Sequence, residues 1–424
     1  MARRVALLMA LLAAPWLAGA AHSAPRSAPE PTSAKPSAGA QKQSAVSMQR
    51  GSLSVQRGAA PAHLRPPVLS SEAWRLSGAG AIRGITLGPI ESSLQPGRGY
   101  GTEASARAMA DARRLGATWV SLTVFGRVWD LQGTGVSLDF EAPYAANRRA
   151  VARAVEQAHR EGLRVLLVPH LWVESGQWRG ELDPGGGEGW ETWAKSYRRY
   201  LLEWASLAQE AHVDMLAAGV ELRTWVTTSH APSFSRLLAD VRGVYGGLLT
   251  YAANWDDVEE TVILGELDVI GINAFYPLTE KENAGLADLK EGAARAAERV
   301  ARLAERWDRP VMFSEFGYTT RPDPALRPWE WPDSMRGVRV DEAAQALAYR
   351  ALLGAMVDCP GFAGIFLWRL YADPADLSQE AEWGFSPRGK KAELVLRDAF
   401  AARWTADGSG RGHALATRRS TVLW

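Results

Sequence analysis

Leu216-Ala217-Ala218-Gly219-Val220-Glu221-Leu222 and Val311-Met312-Phe313-Ser314-Glu315-Phe316-Gly317 are short apolar runs that read as buried strands, and each carries a glutamate at its end. Carboxylates are seldom buried without a partner or a task, so the two glutamates frame everything else in the chain. Six more runs of the same kind surround them: Ile82 to Leu87, Thr118 to Val124, Arg164 to Pro169, Leu248 to Ala253, Val269 to Ala274 and Gly364 to Arg369, while the pair themselves lie in Met215 to Glu221 and Pro310 to Glu315. Helical periodicity follows each run, over Thr102 to Leu115, Ala145 to Glu161, Glu188 to Ala211, Pro232 to Tyr245, Asp256 to Leu264, Ala287 to Trp307, Asp341 to Val357 and Pro387 to Ala402. Eight strand-helix repeats predict an α/β protein, a single (β/α)8 TIM barrel, in preference to an open doubly wound sheet. Gly84-Ile85-Thr86-Leu87-Gly88 lacks the third glycine of a dinucleotide turn, which disfavours a nucleotide cofactor.

At 424 residues, 47% hydrophobic and 22% charged, the chain can bury one large domain with extensions. Its basic and acidic residues nearly cancel, 48 against 47, so no bulk attraction to nucleic acid or an anionic membrane is expected. Arg3 and Arg4, an apolar stretch from Val5 to about Leu17 and Ala18-Gly19-Ala20 have the three regions of an export signal over residues 1–21. The stretch is short and Ala-rich, so cleavage without stable membrane insertion is the expectation, with a secreted or periplasmic product. Residues 22–67 are an Ala/Ser/Pro-rich linker that cannot bury enough apolar surface to order, residues 68–404 form the catalytic barrel, and 405–424 a flexible tail. Cys359 is the only cysteine, which excludes an intrachain disulfide.

In a (β/α)8 barrel, residues at the C-terminal strand ends face one mouth. Here that set includes Arg127, Trp129, His170, Trp172, Glu221, Asn254, Trp255, Asn273, Tyr276, Glu315, Trp368 and Arg369, a polar and aromatic collection. Cleavage of a glycosidic bond needs two carboxyl groups, one to protonate the leaving oxygen and one to attack the anomeric carbon or activate water. Glu221 and Glu315, on the fourth and seventh strands, fit that need, the bland alternative being two unrelated glutamates salt-bridged to Arg223 or Arg369. Tyr276 is either a donor to the nucleophile or a packing residue, and Trp368 either a floor under the sugar or core. His170 either binds a sugar hydroxyl or is structural; Arg127 either orients Glu315 or a substrate hydroxyl, or pairs with a surface acid. His170, Glu174 and Asp183 have no metal-ligand spacing, and no G-x-S-x-G elbow occurs, so neither a metal nor a serine triad is expected, and no cofactor. Eighteen tryptophans supply flat rings suited to sugar faces, with Trp172, Trp178, Trp255 and Trp368 as candidates.

The stretch from Ile82 to roughly Phe400 resembles the retaining clan of (β/α)8 glycosidases and, within it, glycoside hydrolase family 113, known for endo-β-1,4-mannanases. Gly84-Ile85-Thr86, Pro169-His170-Leu171-Trp172, Trp178-Arg179-Gly180-Glu181-Leu182, Trp193-Ala194-Lys195-Ser196-Tyr197, Gly219-Val220-Glu221-Leu222 and Ser314-Glu315-Phe316-Gly317-Tyr318 carry the likeness. The resemblance implies Glu221 as acid/base and Glu315 as nucleophile, Tyr276 as the nucleophile's partner, Trp368 as platform, and His170 and Trp178 at the substrate site. Most of the clan has Asn immediately before the acid/base to bind the sugar 2-hydroxyl, where this chain has Val220; Asn254, Asn273 and Arg127 are alternative donors. The substrate expected is a β-linked hexose polysaccharide or oligosaccharide, β-1,4-mannan first. Rival readings are a same-clan enzyme on β-glucan, xylan or an exopolysaccharide, and a barrel that binds glycan without cleaving it.

Overall fold

A computed structural model describes residues 81–88, 96–330, 337–372 and 380–401. The expected signal, linker and tail, and both boundaries of the 68–404 domain, lie outside the described residues.

Among the described residues the eight apolar runs become strands β1 (Ile82–Gly88), β2 (Trp119–Val128), β3 (Arg164–Val173), β4 (Met215–Val220), β5 (Leu248–Asn254), β6 (Ile270–Asn273), β7 (Val311–Phe316) and β8 (Phe362–Tyr371). All pair in parallel in chain order, and β8 returns to β1 to close the barrel. The helices are α1 (Glu103–Arg114), α2 (Tyr144–Arg160), α3 (Gly187–Glu210), the single turn α4 (Arg223–Val226), α5 (Ala231–Arg242), α6 (Leu286–Trp307), α7 (Glu342–Met356) and α8 (Lys391–Ala401). Side-chain caps start two of them: Thr102 accepts from the Ser105 amide at 3.2 Å, and Asp341 from Ala344 at 2.9 Å. On α6, Leu289, Ala293, Ala296, Val300, Leu303 and Ala304 recur at helical spacing and are buried on the barrel side. The helix expected over Asp256 to Leu264 is instead two 3-10 turns, Val258–Glu260 and Leu264–Glu266. Asp257 accounts for the interruption, since its carboxylate turns back to the Asn254 amide at 3.1 Å and takes the Arg223 guanidinium at 2.7 Å.

The barrel interior is layered. Ile82, Trp119, Leu166, Met215, Val269, Met312 and Phe366 form a dry inner cluster near the N-terminal strand ends. Above them Thr86, Ser121, Thr123, Thr250 and Ser314, with Leu166, Val168, Ala217 and Ala252, line a small cavity that reaches Glu315 and Trp368. Apolar packing therefore seals one end, and polar chemistry collects at the C-terminal mouth.

Register shifts interrupt the ladder between Ala217 and Val220, between Ile272 and Asn273, and between Phe313 and Phe316, all close to the glutamates. Such irregularities re-aim side chains that strict alternation would turn the other way. Ser314 and Glu315, adjacent in sequence, consequently both line the cavity.

Candidate active site

Glu221 stands one residue past β4 with φ +51, a left-handed conformation that costs a residue with a Cβ free energy. Its surroundings fix it from several sides. The Glu221 amide donates to Ala252 O at 2.8 Å, the Leu222 amide to the buried Tyr251 hydroxyl at 2.6 Å, and the Tyr197 hydroxyl to Ala218 O at 3.0 Å. The carboxylate is 7% exposed and takes three donors. Arg179 Nη1 lies 2.5 Å and Trp178 Nε1 2.9 Å from Oε2, and Asn273 Nδ2 donates to Oε1 at 2.8 Å. The Ser314 hydroxyl donates to Asn273 Oδ1 at 3.0 Å and so turns the amide nitrogen toward Glu221.

Arg179 is the residue that sequence reasoning missed. It begins a 3-10 turn after β3, is 1% exposed, and is further anchored by Nε donating to Leu171 O at 3.3 Å. Gly180 makes the turn possible, because a Cβ there would come 2.3 Å from the Trp178 ring. The signal available was the Trp178-Arg179-Gly180 string, an arginine set between a tryptophan and a glycine in the loop after an expected strand.

Glu315 is equally buried but has fewer donors. Burial and the charge of Glu221 push its carboxyl up to about 8, against the opposing pull of Arg179, Arg369 and the Asn273 amide. At neutral pH the free protein therefore holds a proton on Glu315, beside the Arg179–Glu221 ion pair. His170 is neutral, driven well below its ordinary range by burial and then by Arg179. Its Nδ1 faces Leu171 O at 3.0 Å, and Nε2 is buried without a protein partner.

The remaining candidates divide. Trp368 joins Phe275 and Phe385, with Trp255 packed alongside, and the Arg369 guanidinium lies 4.8 Å over its ring. Trp172 packs edge-on to Phe125 and tilted to Phe140 on the β2–β3 side of the mouth. Trp178, expected as a sugar contact, instead spends its N–H on Glu221 and lies under the Arg223 guanidinium at 4.4 Å. Tyr276, expected to hold Glu315, does not: its buried hydroxyl makes no hydrogen bond, and Arg299 covers its ring at 5.4 Å. After Asn273 faces inward, Phe275 takes the next place in the site and Tyr276 turns toward the helical layer. Arg127 takes the surface-acid alternative, pairing with Glu174 at 2.5 Å and Glu141 at 3.8 Å. Asn254 donates to Asp256 at 2.8 Å within its own turn, so of the three alternative donors only Asn273 reaches the glutamates. Arg223 pairs with Asp256 and Asp257, leaving Arg179 as the ion-pair partner of Glu221. Among the described residues no group of three or more His, Cys, Asp or Glu side chains could hold a metal ion, and no helix is long and apolar enough to cross a membrane.

Comparison with known proteins adds an independent line. The family described as Glycoside Hydrolase Family 113 matches residues 94–390. A solved β-mannanase of that family, AaManA from Alicyclobacillus acidocaldarius in complex with ManMIm, is 26% identical with a TM-score of 0.66, over 76% of this chain and 98% of that one. A second solved structure, a complex of a family 113 β-1,4-mannanase, is 22% identical with a TM-score of 0.65, over 76% and 100%, and speaks to the fold alone. Among curated proteins no sequence matches the chain.

Arg179→Met should lower stability by about 3–5 kcal/mol, because it strands a buried carboxylate; adding Glu221→Gln should recover much of the loss. Denaturant unfolding of the four chains measures this, and a single-variant loss below about 1 kcal/mol would contradict it. Between the ordinary carboxyl value of 4.5 and about 8, the folded protein binds a proton on Glu315 that the unfolded chain releases. Stability conferred by that proton is complete at low pH and falls as pH rises through this window. The stability advantage of Glu315→Gln over wild type should therefore grow from pH 5 to 8 and then level off; a pH-independent difference would refute the assignment.

Proposed function

The chain belongs to glycoside hydrolase family 113, and on that premise we propose that it cleaves β-1,4-mannan by double displacement, with Glu315 as nucleophile and Glu221 as acid/base. The observation that carries this reading is the burial of two strand-end carboxylates, from β4 and β7, in one cavity mouth, where Asn273 donates to Glu221 at 2.8 Å and lines the cavity with Glu315. The likeness to a β-mannanase over 98% of its length supports the substrate class.

Resting protonation is the reverse of what the two roles require at attack. Positive charge developing at the anomeric carbon favours an ionised Glu315, and Glu221 is the carboxylate beside it that can take up the proton. Glu221 then protonates the leaving oxygen while Glu315 attacks, giving a glycosyl ester. In the second step Glu221 takes a proton from water, which displaces Glu315 and retains the anomeric configuration. Arg179 holds Glu221 in place through both steps and has a further buried donor, Nη2, without a protein partner. With Asn273, it takes over in this reading the role of the clan's asparagine, absent at Val220. His170, with Nε2 as acceptor, receives a sugar hydroxyl, and Trp368 lies under the ring being attacked. Export to a secreted or periplasmic location is part of the proposal and rests on the signal-like sequence of residues 1–21.

The test compares reducing-sugar release from β-1,4-mannan, β-glucan and xylan, and turnover of an aryl β-mannoside with a good leaving group. Wild type should prefer mannan. Glu221→Ala and Glu315→Ala should each lose at least about 10²-fold on mannan. Only Glu221→Ala should keep substantial rate on the aryl mannoside, whose leaving group needs no acid. The opposite pattern would exchange the two roles, and preference for another polymer would overturn the substrate.

A further inference from the structure

The inward-facing row of β2 can be followed from the barrel floor to beyond the mouth. Trp119 belongs to the dry inner cluster, and Ser121 and Thr123 line the cavity shared with Glu315 and Trp368. Phe125 meets His170 at 5.2 Å and Trp172 at 6.0 Å between ring centroids. Arg127, above it, lies over Phe140 and pairs with Glu174. The next position of the row is Trp129, directly after β2 ends at Val128.

Trp129 is 70% exposed, and no other tryptophan among the described residues is exposed. A single exposed apolar side chain is ordinary, but an indole at the C-terminal end of a barrel strand, above the mouth, offers a flat face of the kind that stacks on sugars. Its backbone is nevertheless held: the Glu174 amide donates to Val128 O at 2.9 Å and the Ser175 amide to Trp129 O at 3.0 Å. Six residues separate Thr123 from Trp129, about 20 Å along an extended strand. Thr123 shares the cavity with Glu315, and about 20 Å exceeds one sugar ring, so a ring seated at Trp129 belongs to a distant part of a chain whose cleaved bond is at the centre. Around it Glu141, Glu174 and the neighbouring Asp130 outnumber Arg127, a local excess of negative charge that repels acidic polysaccharide and leaves neutral glycan acceptable.

We infer that Trp129 is a remote sugar platform, which stacks on the apolar face of a hexose several units from the scissile bond in a neutral β-linked polymer. The inference rests on the glycosidase reading above and adds to it a site that distinguishes long substrates from short ones. Stacking contributes binding without touching the reacting atoms, so its loss raises KM for chains long enough to reach it and leaves short substrates unaffected.

The experiment uses the full chain with Trp129→Ala and Trp129→Phe. Because the ring is exposed, neither change disturbs the core. Trp129→Ala should lower kcat/KM on soluble mannan about five-fold or more through KM, with Trp129→Phe intermediate, while kcat/KM on an aryl mono-mannoside stays unchanged. Equal loss on both substrates, or loss on neither, would overturn the platform. Affinity electrophoresis in gels containing soluble mannan reads the same site without catalysis: wild type should be retarded more than Trp129→Ala. That difference would persist if the catalytic reading failed, so the two failures are distinguishable. Unaltered retardation together with a changed sedimentation coefficient would make Trp129 a self-association contact and refute the inference.

Discussion

Two buried carboxylates facing one amide cannot both be ionised without a cation beside them, and the Arg179–Glu221 ion pair is how this barrel meets that constraint. Once Arg179 commits its charge to Glu221, the remaining carboxyl, Glu315, is left protonated in the free protein. Burial, and after it the Arg179 charge, holds His170 neutral. Burial and the ion pair together set the state of the neighbouring Glu315 and His170.

Much of the mouth is arranged to make that ion pair geometrically possible. The left-handed Glu221 is braced through Ala252 and Tyr251, the Arg179 turn passes close to the Trp178 ring only because residue 180 has no side chain, and Ser314 turns the Asn273 amide. The register shift in β7 lets Ser314 and Glu315, adjacent in sequence, both line the cavity, where strict alternation would turn one away. Below, the apolar cluster closes the barrel, so substrate chemistry is confined to one end.

The fold was legible because eight apolar runs and their following periodicity are strong, cumulative signals, and β2 and β3 departed from expectation mainly by running farther toward the mouth. The 256–264 segment was misread because local Asp257 bonding outweighs a weak helical pattern. Within the site, the glutamates were visible as polar residues at the ends of apolar strands. Which neighbours serve them was not visible, since Tyr276 and Phe275 differ only by one position of alternation and the structure chooses Phe275. Arg179 was hidden for a different reason. Its partner is 42 residues away in sequence, and the local Trp178-Arg179-Gly180 string hints at burial without naming that partner.

Burial and the charge of Glu221 leave one proton on Glu315 in the free protein. Difference infrared spectroscopy of wild type against Glu315→Gln reads that carboxyl directly. A protonated carboxyl band present at pH 6 and lost with a midpoint near 8 is the predicted result. A Glu315 that is already ionised at pH 6, with the carboxyl band absent throughout, would contradict the account.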